Sequence, residues 1–151
     1  MISTSTTPSR VLFGLATAIA LSVTFGAASA SAETITYTAD LKGSTEVPAN
    51  TTAGTGNVTA TIDTATKQLT YTATYSGLTG PGTAAHFHGP AAAGTNAPPI
   101  VPVKGSVASP IKGEATLTDD QIGMFADGKM YFNVHTDANK GGEIRGQMMK
   151  K

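Results

Sequence analysis

The sequence predicts an all-β fold, an antiparallel immunoglobulin-like or Greek-key β-sandwich or barrel of seven to eight strands with one short helix. Three observations carry this. From Thr34 onward apolar and polar residues alternate with a period of two, the pattern of a strand with one face buried. The alternating segments are short and separated by turn-forming residues, as in sandwiches and barrels rather than helical folds. Only "TDDQIGMFADGK" interrupts the alternation, and it carries helix start and stop signals. The 151 residues suffice for one domain with its own core.

The chain opens with a segment that does not belong to this pattern. Residues 1–32 read as a secretory signal peptide. Arg10 is their one charge, the apolar run "VLFGLATAIALSVTFGAA" follows, and "ASASAE" offers small-x-small cleavage sites after Ala30 or Ala32. Gly, Ser and Thr interrupt the run, so no stable membrane insertion is expected after processing. The domain is then residues 33–151, at work in the periplasm or outside the cell. It contains no cysteine, so packing and backbone pairing, with a metal where one binds, must supply its stability.

The elements follow in order. "TITYTADL" places Ile35, Tyr37, Ala39 and Leu41 on one face, "NVTATID" does so with Val58, Ala60 and Ile62, and "QLTYTATYSGL" with Leu69, Tyr71, Ala73 and Tyr75. The short polar link "DTATK" makes the last two a hairpin. "TAAHFH" is the next strand. A Gly/Pro-rich loop then leads to an irregular edge segment at Ile100–Val103, where Pro102 forbids regular ladder pairing. "IKGEATL" is a further strand. Thr118 and Gln121 form a capping box, Asp119 and Asp120 suit a helix N-terminus, and Gly128 suits its end, so the helix covers about Asp119–Ala126. "KMYFNVHT" and "GEIRGQMM" close the chain as strands.

In the final hairpin, pairing Val134 with Ile144 makes the apolar faces coincide. Asn133 then faces Arg145, Tyr131 faces Gln147, and His135 faces Glu143. A one-residue slip would bury Arg145 in the core, whereas a two-residue slip keeps the faces matched and stays open.

Function has few residues to draw on. Formal net charge is zero and only 13% of residues are charged, which excludes the clustered Lys and Arg that nucleic acid demands. "GTGNVT" lacks the lysine and the helix of a phosphate loop, and no serine sits in a nucleophile elbow. The three histidines remain. His86 and His88 stand at i and i+2 and project from one strand face, with Phe87 pointing to the core. His135 shares the polar face of its strand with Tyr131 and Asn133. Three imidazoles that converge suit copper, with zinc as the alternative, and leave an open coordination position. Glu143 is the candidate to orient and polarise a ligating imidazole, or to be the fourth ligand itself. Glu46 in "STEVPAN" and Arg145 are weaker candidates. Glu46 would reach the site only from one end of the fold, and Arg145 reads most simply as the ion-pair partner of Glu143 or Glu46.

Three stretches in order, "LKGSTEVPAN", "GLTGPGTAAHFHGPAAAG" and "GKMYFNVHTDANKGGEIRGQ", resemble the CHRD domain, the chordin-type module also present in exported bacterial proteins. The resemblance covers nearly all of residues 33–151. It implies an all-β, immunoglobulin-like or barrel domain in an exported protein and leaves biochemical activity open. The His-x-His strand is also similar to that of copper–zinc superoxide dismutases. The chain lacks their zinc-loop histidines and disulfide cysteines, which leaves room for a simpler copper site. Two functions therefore stand. One is an exported metal-binding protein using His86, His88 and His135 in metal handling or redox chemistry. The other is a non-catalytic interaction module of the cell envelope, with structural histidines and a protein or a second copy as partner.

Overall fold

A computed structural model describes Met1 and residues 32–151 of the chain. The signal-peptide reading lies almost wholly outside the described residues. Nine strands run as β1 (Thr34–Lys42), β2 (Thr55–Asp63), β3 (Gln68–Ser76), β4 (Gly82–His88), β5 (Pro99–Pro102), β6 (Ile111–Thr116), β7 (Tyr131–Thr136), β8 (Ile144–Gln147) and β9 (Met149–Lys150). Among the described residues one α-helix, α1 (Asp119–Ala126), lies between β6 and β7, and a single 3-10 turn, Gly43–Thr45, follows β1. The strands form one antiparallel sheet in the order β5-β4-β7-β8-β1-β2-β3-β6, and the two-residue β9 pairs with β1. The sheet curls into a nearly closed barrel, so of the two expected architectures the barrel is the one adopted.

Alternation explains the curl. Tyr37 pairs with Ala60, which pairs with Tyr71, and Ala39 pairs with Val58, which pairs with Ala73. Large and small inward side chains thus alternate across the sheet and let it bend around its own contents. From the opposite wall Phe87 meets Tyr71 at 5.2 Å and Phe132 at 4.8 Å between ring centroids, both edge to face. Phe125 of α1 packs against Tyr37 and Phe87 at 5.1 and 5.7 Å. One backbone approach restricts sequence further: a Cβ at Gly146 would collide with the Asp40 carbonyl where β8 runs beside β1.

The local signals act as written. In the β2–β3 turn Asp63 Oδ1 accepts from the N–H groups of Ala65 (3.0 Å) and Thr66 (2.8 Å). Thr118 Oγ1 accepts from Gln121 N, and Gln121 Oε1 accepts from Thr118 N, closing the capping box. Gly128 at φ +66° ends the helix, with the N–H groups of Gly128 and Lys129 donating to Phe125 and Met124 carbonyls. β5 is an edge strand, as Pro102 requires, and its ladder with β4 shifts register between Phe87 and His88. Val134 pairs with Ile144, Asn133 with Arg145 and Tyr131 with Gln147.

Candidate metal centre

β4 and β7 are neighbours, with His86 opposite Asn133, His88 opposite Tyr131 and Ala84 opposite His135. The outward faces of β4, β7 and β8 therefore form one surface carrying His86, His88, Tyr131, Asn133, His135, Arg145 and Gln147. An outward face is normally wet. Here Tyr131, Asn133 and Arg145 are each 2% exposed and His88 is 6% exposed. Two loops cover them, residues 43–54 and residues 89–98. Arg145 anchors the second, donating from Nη2 to the Thr95 carbonyl (2.6 Å) and from Nη1 to Asn96 Oδ1 (3.1 Å). Asn96 Nδ2 joins the two loops through the Val47 carbonyl at 2.9 Å.

The three histidines meet on this surface. One ring nitrogen from each lies within 4.8 Å of the other two. His86 Nδ1 is 3.1 Å from His135 Nε2. A tetrahedral ion about 2.0–2.1 Å from each nitrogen sets ligand nitrogens about 3.3–3.4 Å apart, so small side-chain movements would complete the set.

Hydrogen bonding selects which nitrogens are available. His88 Nδ1 is 2.9 Å from the Ala97 carbonyl and His135 Nδ1 is 2.9 Å from the Lys140 carbonyl. A carbonyl only accepts, so in each neutral ring Nδ1 holds the hydrogen and Nε2 carries the lone pair. His88 Nε2 is buried and has no hydrogen-bond partner among the described residues. Stacking also holds that ring. Tyr131 lies parallel to it at 4.7 Å, the guanidinium carbon of Arg145 sits 3.4 Å from the centre of the Tyr131 ring, and Tyr131 Oη donates to the same Ala97 carbonyl at 3.2 Å. Burial, then the charges of His135 and His88, lower the pKa of His86. Burial is also the main cause at His88, where the Ala97 hydrogen bond and the nearby Asn133 side chain partly oppose it and the charges of His135 and Arg145 reinforce it. Both shifts favour the neutral, ligating form.

Glu143 lies elsewhere in its hydrogen bonding. The β7–β8 ladder ends at Val134–Ile144, and Gly142 at φ +130° turns the chain just before Glu143. The carboxylate is fully buried and accepts from Thr136 Oγ1 (2.5 Å), Thr52 Oγ1 (2.6 Å), Thr79 N (2.7 Å) and Thr79 Oγ1 (2.7 Å). Burial raises its pKa, but these four donors override it and hold the group at about 2. The cross-strand contact expected between His135 and Glu143 is thus replaced by a knot that ties the 50–54 and 77–81 segments to the hairpin.

Arg145 also departs from expectation. It makes no ion pair within 4.0 Å with Glu143 or Glu46; among the described residues the ion pairs are Lys67–Asp119 and Lys129–Asp127. Glu46 is buried beside it. Burial pushes the Glu46 carboxyl up to about 7, against lowering by the Arg145 charge, the Val47 backbone N–H and the Asn133 side chain. Gly142 makes space there, since a Cβ on it would collide with Glu46 Oε1 and Asn133 Nδ2. The sequence offered no signal for the carbonyls of Ala97 and Lys140. It did place Tyr131 and Asn133 with His135, on what read as the polar face of its strand.

No curated protein and no solved structure matches the chain. The CHRD domain family does, over residues 37–148, a span that includes both walls of the barrel, all three histidines, Glu46 and Arg145. The order of motifs, the barrel and the family match agree, and the chain belongs to the CHRD domain family.

Proposed function

We propose that this is an exported metal-binding CHRD-domain protein in which His86, His88 and His135 hold one transition-metal ion, copper before zinc, for metal handling or for redox chemistry at the open position. The observation that supports it best is the buried, unpartnered Nε2 of His88 beside the other two imidazoles, with the tautomers of His88 and His135 set by backbone carbonyls. A lone pair buried without a partner is costly unless something occupies it, and an ion would do so. Neutral nitrogen donors suit copper and zinc, and three of them leave room for a further ligand.

The competing reading, an interaction module with structural histidines, draws on the direct His86–His135 hydrogen bond, which satisfies those two rings without an ion. Titration of the purified chain with Cu(II) and Zn(II), followed by calorimetry and, for copper, electron paramagnetic resonance, separates the two. One equivalent of Cu(II) with a nitrogen-rich spectrum is expected. Equally tight binding by a triple alanine variant at 86, 88 and 135 would sink the metal reading. Export is tested separately: mass spectrometry should find the mature chain starting at Ser31 or Glu33, and retention of Met1 to Arg10 would reject it.

A further inference from the structure

Four buried side-chain atoms lack a hydrogen-bond partner among the described residues: Glu46 Oε1, His88 Nε2, Asn133 Oδ1 and Gln147 Oε1. Two of these, on His88 and Asn133, belong to neighbouring positions of one sheet face. Asn133 of β7 stands directly opposite His86, diagonally from His88, and two residues before His135 on its own strand. It is therefore next to each of the three histidines, and it is buried.

The two ends of the Asn133 amide face different ways. Nδ2 and Glu46 Oε1 together crowd the point where a Cβ on Gly142 would stand, so Nδ2 is the end turned to Glu46. Burial sets the direction of the pKa shifts of Glu46 and His88, and the Asn133 side chain opposes it in both, lowering Glu46 and raising His88. Opposing burial takes a donor at Glu46 and an acceptor at His88, which agrees with Nδ2 on one side and Oδ1 on the other. His88 Nδ1 is already held by the Ala97 carbonyl, so the nitrogen left to Oδ1 is Nε2, which carries a lone pair. Two acceptors are thus buried side by side, and neither has a donor. Such a pair is costly unless something positive lies between its members.

We infer that Asn133 Oδ1 is the fourth protein donor to the ion held by His86, His88 and His135. The inference rests on the metal reading above and adds one oxygen to its three nitrogens. An amide oxygen is a neutral donor, and a mixed set of nitrogen and oxygen donors suits Cu(II). The oxygen reaches the ion from the sheet. The outer side stays open, because His86 and His135 are only half-buried, and from that side an ion enters and a further ligand reaches it.

The test is Cu(II) titration with electron paramagnetic resonance on the native chain, on Asn133→Leu, which keeps the volume and removes the oxygen, and on Asn133→Asp, which keeps an oxygen in place. Urea unfolding of the metal-free proteins checks that each is folded, and Asn133→Ala takes the place of Asn133→Leu if that variant is not. Asn133→Leu is expected to lose about tenfold or more in Cu(II) affinity and to change the copper hyperfine splitting, because a donor atom is gone. Asn133→Asp should regain the native affinity or exceed it, since a carboxylate oxygen is itself a metal ligand. Native splitting in Asn133→Leu overturns the inference, whether binding is unchanged or weaker, since weaker binding with that spectrum marks a residue that only supports His88. Asn133→Asp binding no better than Asn133→Leu overturns it as well. In both cases the three-histidine reading stands. A native chain that binds no Cu(II) removes the metal reading and this inference with it.

Discussion

His86, His88 and His135 stand on one surface but are held in different ways, and single substitutions should report the difference. His88 is clamped by the Tyr131 stack and the Ala97 carbonyl, His135 by the Lys140 carbonyl and its contact with His86, and His86 only by His135. Replacing any of the three with alanine removes a ligand, so Cu(II) affinity should fall by more than the about 10–100-fold typical of outer residues. Tyr131→Leu keeps every ligand but frees the His88 ring, and its loss should stay inside that range. Competition titration against a chelator measures both. Phe87, between the two β4 histidines, faces the core and is fully buried. Phe87→Ala should cost about 3–5 kcal/mol in urea unfolding while leaving copper stoichiometry intact. A Phe87→Ala variant that is stable but copper-free would mean the histidines depend on core packing rather than on their own supports.

At the level of elements, the sequence carried the strands well because each has a buried face with period two, and it carried α1 because its caps are side-chain chemistry. Those caps can be weighed. Thr118→Ala should cost about 1 kcal/mol by removing the acceptor for Gln121 N. Gly128→Ala should cost about 1 kcal/mol or more, because φ +66° is unfavourable for alanine. Neither change should alter metal affinity, and denaturant midpoints beside a copper titration check both. The candidate site was legible only in part. The convergence of His86 and His88 follows from strand geometry, while matching apolar faces excludes a one-residue slip from the Val134–Ile144 register but not a slip of two. The position of Glu143 follows from neither, because Gly142 ends the ladder one residue early and redirects the carboxylate to Thr52, Thr79 and Thr136. Nor does the burial of Tyr131, Asn133 and Arg145. Alternation marks the face turned from the core, but only tertiary structure brings the 43–54 and 89–98 loops over it.

Across the whole molecule these buried ionisable groups pull stability in opposite directions as pH changes. Glu143 has its pKa lowered to about 2, so its stabilising effect is complete above the ordinary carboxylate value and is lost as pH falls from about 4.5 to about 2. Glu46 has its pKa raised to about 7, so its contribution is complete below about 4.5 and is lost as pH rises through about 7. His86 and His88 have lowered pKa values. They favour the folded state above the unfolded imidazole value of about 6.5, an advantage lost as pH falls below it. Between about pH 5 and 7 Glu46 and the histidines therefore oppose each other, so part of each slope is hidden in the metal-free chain, which should lose stability in acid below about 4.5. Single variants should expose the hidden slopes. Glu46→Gln should leave stability rising with pH through 6.5, and the triple alanine variant at 86, 88 and 135 should leave it falling from about 4.5 to 7. Glu143→Gln should lower stability above pH 4.5 and flatten the acid limb. Urea unfolding of the metal-free proteins from pH 2 to 8 reads all four curves. Parallel curves for the native chain and the Glu46→Gln and triple alanine variants would show that these groups do not couple folding to protons. If the slopes appear, copper should stabilise the native chain more at pH 7 than at pH 5, because only the neutral imidazoles that dominate at the higher pH can ligate it.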